Sequence, residues 1–90
     1  MIYLSVRHTV ADYAKWRPIF DADEPNRRAA GATGFQHVFR DQADPNDITM
    51  LFEWDNAEKA QKFLHDPALA ETMKAAGVMS APDARFLNRA

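Results

Sequence analysis

The stretch TGFQHVFRD, residues 33–41, sets a histidine between two phenylalanines. Side chains alternate along an extended chain, so Phe35, His37 and Phe39 point to one side. Imidazole exchanges a proton near neutral pH. A histidine on such a row is therefore either a core residue with its hydrogen bonds met or an acid/base held against a ligand. His8 ends the alternating segment IYLSVRH, and Trp54 ends ITMLFEW. An indole N–H can donate to a carbonyl oxygen while the ring stacks on a planar molecule.

Other chemistries find little support. The chain has no cysteine, which removes disulfides, thiolate nucleophiles and sulfur-ligated metals together. His8, His37 and His65 lack the short spacing of a metal site, so no metal is expected. Three glycines form no phosphate-binding loop, and Ser5 and Ser80 lie in no nucleophile elbow. A formal charge of −2 argues against nucleic acid as a partner. The one basic doublet, Arg27-Arg28, reads as solvated helix surface. Glu53 and Arg7 are expected to form a structural ion pair across adjacent strands.

The elements that must position these groups follow from periodicity. Ninety residues make one domain, residues 1–90, with 47% hydrophobic and 27% charged content. No apolar run is long enough to cross a membrane, and MIYLSVRH does not resemble a targeting segment, so the cytoplasm is expected. Residues 2–8 alternate as a strand. Thr9 and Asp12 resemble a capping box, and Val10, Tyr13, Trp16 and Phe20 then recur at helical spacing. Pro18 and Pro25 should kink or divide this helix across residues 10–30, and Gly31 should stop it. Residues 33–40 and 48–54 are strands joined by the turn DQADPND as a hairpin. Asp55 and Glu58 open a third helix, and Asp66-Pro67 a fourth that Gly77 closes. A last strand spans about residues 83–88. The order predicts an α+β, ferredoxin-like βαββααβ fold, with helices on one face of a four-stranded antiparallel sheet.

The strand rows sort onto two faces. One collects Ile2, Leu4, Val6, Phe35, Phe39, Ile48, Met50, Phe52, Trp54 and Phe86, and is assigned to the helices. The other mixes Tyr3, Val38, Leu51 and Leu87 with Ser5, Arg7, Gln36, Arg40, Thr49 and Glu53. A polar-rimmed apolar patch predicts a protein contact, met by a homodimer whose sheets face one another. The competing expectation is a solvated face with scattered apolar residues.

The segments VRHTV and DYAKW, then LFEWDNAEKAQKFL and KAAGVMSAPDARFL, resemble the dimeric α+β barrel superfamily nearly end to end. Within it the chain is similar to small antibiotic-biosynthesis-monooxygenase-like and cyclase-like proteins. The resemblance implies a homodimer, with a small-molecule cleft in each subunit between sheet and helices. It further implies a cofactor-independent monooxygenase or cyclase-like enzyme acting on an aromatic or hydrophobic metabolite. The alternative is a non-catalytic ligand-binding or assembly domain. In that cleft His37 is the expected acid/base and Trp54 the stacking or donating group. His8, Tyr13, Trp16, Phe52 and Phe86 are the expected ligand-binding walls. The haem-degrading branch joins an Asn on the first strand to a Trp and a following His. Trp54 and His65 fall near the last two, but the first strand has no Asn, and haem is not expected as a cofactor.

Overall fold

Alternation in the first segment is carried straight into the structure, a computed structural model that describes residues 1–90. Strand β1 (Ile2–Thr9) buries Leu4, Val6 and His8 on one side and leaves Arg7 exposed on the other. Helices α1 (Tyr13–Ala22) and α2 (Glu24–Ala30) follow, then strands β2 (Ala32–Arg40) and β3 (Asp47–Trp54). Helices α3 (Ala57–Leu64) and α4 (Pro67–Ala75) lead to strand β4 (Asp83–Leu87). The sheet order is β2-β3-β1-β4, and each neighbouring pair is antiparallel. This is the ferredoxin-like arrangement expected from the sequence.

Local chemistry explains the breaks. The long helical stretch divides at Asp23, and Pro25 falls in the first turn of α2, where a missing N–H costs nothing. Gly31 ends α2 at φ 130°, a backbone region that side chains with a Cβ avoid. Two helix starts differ from expectation by a residue or more. Asp12 itself caps α1, accepting from the Ala14 N–H at 2.9 Å, while Thr9 stays in β1. Asn56, not Asp55, caps α3 through the Lys59 N–H at 2.9 Å. Asp66 caps α4 as its sequence suggests, accepting from the Ala68 N–H.

The core lies between the sheet and the helices. Leu4, Val6, Ile48, Met50, Phe52 and Trp54 supply the sheet side. Trp16 and Phe20 of α1 stack with ring centroids 4.7 Å apart, and Phe20 reaches Phe52 at 6.0 Å. Trp54 packs on Phe63 of α3 at 5.3 Å.

β2 corrects the face assignment. Residues directly opposite one another in an antiparallel pair share a face. Gln36 pairs with Phe52, Val38 with Met50 and Arg40 with Ile48, so these three share the helix side. Phe35, His37 and Phe39 therefore belong to the open side. Phe35 is 42% exposed and Phe39 53% exposed. Their rings form one row: Tyr3 meets Phe35 at 5.8 Å, Phe35 meets His37 at 5.0 Å, and His37 meets Phe39 at 5.9 Å. The expected Arg7–Glu53 pair also gives way. Arg7 donates to both carboxylate oxygens of Asp47, at 3.0 and 2.6 Å, and Glu53 accepts from the Thr33 hydroxyl at 2.8 Å.

Candidate functional site

A cavity of about 80 Å³ opens between the sheet and all four helices. Its walls are mostly apolar. Leu4, Val6, Met50 and Phe52 come from the sheet, and Phe63, Leu69 and Met73 come from α3 and α4. The polar exceptions are His8, Asp23, Arg27, Trp54 and Thr72. Thus one cation and one carboxylate border a space otherwise dressed in hydrocarbon.

Three of the polar groups share an unusual property. His8 is 5% exposed, Arg27 5% and Trp54 1%. Both ring nitrogens of His8, the Nε of Arg27 and the indole Nε1 of Trp54 have no hydrogen-bond partner in the protein. Buried donors and acceptors are nearly always paired, because each unpaired one costs about 1–3 kcal/mol. All three residues line the same cavity, so four unpaired buried nitrogens gather around one apolar space, as in a candidate small-molecule site.

Each is placed by its element. His8 ends the inward row of β1, opposite Ile48 of β3, and its ring meets Trp16 edge-on at 5.8 Å. Burial pushes its pKa below the ordinary imidazole value, so it is neutral at pH 7, with one ring nitrogen an acceptor and the other a donor. Trp54 ends the inward row of β3, its ring wedged against Phe63. Arg27 lies on α2 with its guanidinium carbon 4.0 Å from the Phe20 ring centroid and 5.7 Å from that of Phe52. Its Nη1 donates to the Phe20 carbonyl at 2.9 Å and its Nη2 to the Gln36 side-chain oxygen at 3.4 Å. Burial lowers its pKa, opposed by the charges of Asp23, Glu24 and Asp21, but a guanidinium remains protonated at any ordinary pH.

The residues anticipated from sequence separate into two groups. His8, Trp16, Phe52 and Trp54 line the cavity. His37, Tyr13 and Phe86 do not. His37 is on the far side of the sheet and exposed, because the pairing of β2 with β3 turns its row away from the helices. Tyr13 is engaged elsewhere: its hydroxyl accepts from Arg17 at 2.9 Å, and the Arg40 guanidinium covers its ring at 3.9 Å. Phe86 has the expected orientation, opposite Leu4, but β4 is an edge strand, and Phe86 is 39% exposed and outside the cavity lining. His65 ends α3 with its Nδ1 bonded to the Gln61 carbonyl at 2.8 Å, exposed to solvent.

Arg27 is the site residue that the sequence concealed. As half of a basic doublet it reads as helix surface, yet only Arg28 is exposed. The available signal was spacing. Trp16, Phe20 and Arg27 fall at intervals of four and seven residues, which keeps one helical face if the pattern is carried across the Asp23 break.

No protein-family model matches the sequence, and no curated protein matches it. Solved structures do match its fold. A provisional antibiotic biosynthesis monooxygenase of Bordetella bronchiseptica superposes with a TM-score of 0.81 at 17% identity, over 99% of this chain and 96% of that one. SnoaB, a cofactor-independent oxygenase from Streptomyces nogalater, gives 0.73 at 15% identity over 99% and 94%. A provisional antibiotic biosynthesis monooxygenase of Caulobacter crescentus gives 0.74 at 14% identity over 99% and 89%. Across its whole length, this chain has the α+β fold of the antibiotic biosynthesis monooxygenase-like proteins.

Proposed function

We propose that the protein binds a planar, largely apolar aromatic molecule in this cavity and oxidises it with molecular oxygen, without a cofactor. The carrying observation is the set of unpartnered nitrogens on His8, Arg27 and Trp54 around an apolar space. A structural core would have paired or replaced them. The likeness in fold to SnoaB, a cofactor-independent oxygenase, supports the reaction class.

The chemistry asks little of the protein. Where a CH₂ lies between electron-rich rings, loss of a proton gives an anion that dioxygen can oxidise. CH₂ and O₂ become C=O and H₂O, and the substrate supplies all four electrons. His8, neutral and buried, takes the proton. The Trp54 N–H donates to the substrate oxygen on which negative charge develops. Trp16 and Phe52 hold the ring plane, and the hydrocarbon walls exclude water.

The cavity is smaller than the several hundred Å³ typical of ligand clefts, so a substrate must push a wall outward. α4 is the wall to yield, since it contains no buried residue. The open face of the sheet, with the row Phe35, His37 and Phe39 beside Tyr3 and Leu51, is assigned to a second copy of the chain. Binding without turnover, in a ligand-carrying or assembly domain, is the second reading, and the same geometry serves it.

Both tryptophans line the cavity, so intrinsic fluorescence reports occupancy directly. A screen of phenols, aromatic polyketides and haem should give saturable quenching by planar phenolic compounds. Oxygen uptake by the binders, with a product one oxygen heavier and two hydrogens lighter, marks the enzyme. Binding with no uptake favours the second reading, and no quenching by any compound overturns both.

A further inference from the structure

Resting on the reading of the cavity as a small-molecule site, we infer that Arg27 forms an anion-receiving subsite within it, and that the ligand carries a carboxylate. The inference starts from a buried cation that no carboxylate contacts directly, although Asp23, Glu24 and Asp21 lie near enough to act on it. Arg27 is as buried as the core residues Val6 and Phe52, yet it belongs to none of the chain's four ion pairs. Withdrawing a cation from water costs several kcal/mol unless an anion and hydrogen bonds replace the lost hydration. Here the replacement is partial. One terminal nitrogen donates to the Phe20 carbonyl, the other makes a long contact to Gln36, and Nε has no partner.

Nearby acids do not close the gap. Asp23 also borders the cavity, but its carboxylate accepts from the Asn26 side chain at 2.8 Å and lies beyond ion-pair distance of Arg27. Glu24 pairs with Arg28 instead. Asp23 is the one wall group with a negative charge; His8, Trp54 and Thr72 carry none.

Geometry favours a carboxylate over a single charged oxygen. The Phe20 ring lies 4.0 Å from the guanidinium carbon, and the Phe20 carbonyl holds one end of the fork. That leaves the edge carrying Nε for a ligand, and a guanidinium edge matches two coplanar oxygens. The hydrocarbon walls take the rest of the molecule. Such a site disfavours the neutral amide, which offers one acceptor oxygen instead of two, carries no charge, and turns an NH₂ donor toward the guanidinium donors.

The test uses 2-naphthoate and 2-naphthamide, alike in shape and unlike in charge, followed by tryptophan quenching in the intact protein. Wild type should bind naphthoate at least tenfold more tightly than naphthamide. Arg27→Met should erase that preference by weakening naphthoate alone, and Arg27→Lys should restore part of it. Equal affinity of wild type for the two probes, or a preference that survives in Arg27→Met, would overturn the carboxylate subsite while leaving the cavity a binding site. Should neither probe bind, the carboxylate subsite is overturned, and the cavity reading is decided separately by the phenol and polyketide screen. The wild-type comparison needs no variant, so a misfolded Arg27→Met does not remove the test.

Discussion

The guanidinium of Arg27 is held by Phe20 twice over: its carbon lies 4.0 Å from the centre of the ring, and its Nη1 donates at 2.9 Å to the same residue's carbonyl. Both contacts come from the last turns of α1, so the division of the helix at Asp23 is what folds Arg27 back against it. A side chain with this many rotatable bonds would lose much freedom on meeting a ligand. Here that loss is incurred during folding, with Nε left unpartnered.

Holding an unpaired cation in place costs stability, which gives the first prediction. Arg27→Met keeps the hydrocarbon length and removes the charge. The lost cation–π and carbonyl contacts are each worth about 1–2 kcal/mol, and the relieved desolvation is of similar or larger size. The variant should therefore unfold in urea within about 1 kcal/mol of wild type, or later than it. A loss of more than about 3 kcal/mol would mark Arg27 as a structural residue.

Much of this arrangement was visible in the sequence, and the part that was not has a definite cause. Alternation in residues 2–8 and 48–54 placed Leu4, His8, Phe52 and Trp54 correctly, because those strands are central and each has a clearly more apolar row. The same rule misplaced β2. Its more apolar row, Phe35, His37 and Phe39, faces away from the helices, and Gln36, Val38 and Arg40 face toward them. Hydrophobicity identifies a covered face but does not say what covers it. When both rows carry apolar residues, only the pairing register can assign them, and that register is set by the turn at residues 41–46, where the Asp41 N–H meets the Asp47 carbonyl at 2.9 Å. Arg27 was hidden for a related reason, since charge reads as exposure unless the partner is known.

Trp54 supplies a second prediction, one that separates packing from donation. Its indole N–H bonds to nothing in the protein, so Trp54→Phe sacrifices no hydrogen bond on folding. The smaller ring leaves a gap against Phe63, and stability should fall by about 1–3 kcal/mol. Turnover should fall further than binding, by about a hundredfold, because a donor aimed at developing charge acts mainly in the transition state. A variant that binds ten times more weakly but turns over normally once saturated would limit Trp54 to shaping the cavity.

His8 predicts how stability responds to acid. Burial lowers its pKa in the folded protein, whereas the unfolded chain titrates at the ordinary value near 6.5. Between those two values the unfolded chain binds a proton that the folded chain refuses, so stability falls as pH falls below about 6.5 and levels off past the folded value. Asp47, held below the usual carboxylate range by its hydrogen bonds from Arg7, also loses stability on acidification, but only as pH drops through the lower carboxylate window. Urea midpoints measured from pH 8 to pH 4 should show the higher step in wild type and not in His8→Phe. An unchanged step in that variant would mean that another group carries it.

The open face gives the last prediction. Phe39 is more than half exposed, and its neighbours in the aromatic row, Phe35 and His37, are exposed with it. Antiparallel sheets that end in solvent normally show a polar outer row, so this row calls for a partner surface. A second copy docked through the same face would bring two such rows together about a two-fold axis. Light scattering at micromolar concentration should then report a dimer for wild type. Phe35→Glu combined with Phe39→Glu would place four carboxylates in that contact, and repulsion of several kcal/mol should weaken the dimer at least a hundredfold. His37→Phe, by contrast, should leave both the dimer and ligand quenching intact, because its ring adds area on this face and none to the cavity. A wild-type monomer would leave the aromatic row without a partner, and loss of quenching in His37→Phe would show that the two faces of the sheet communicate.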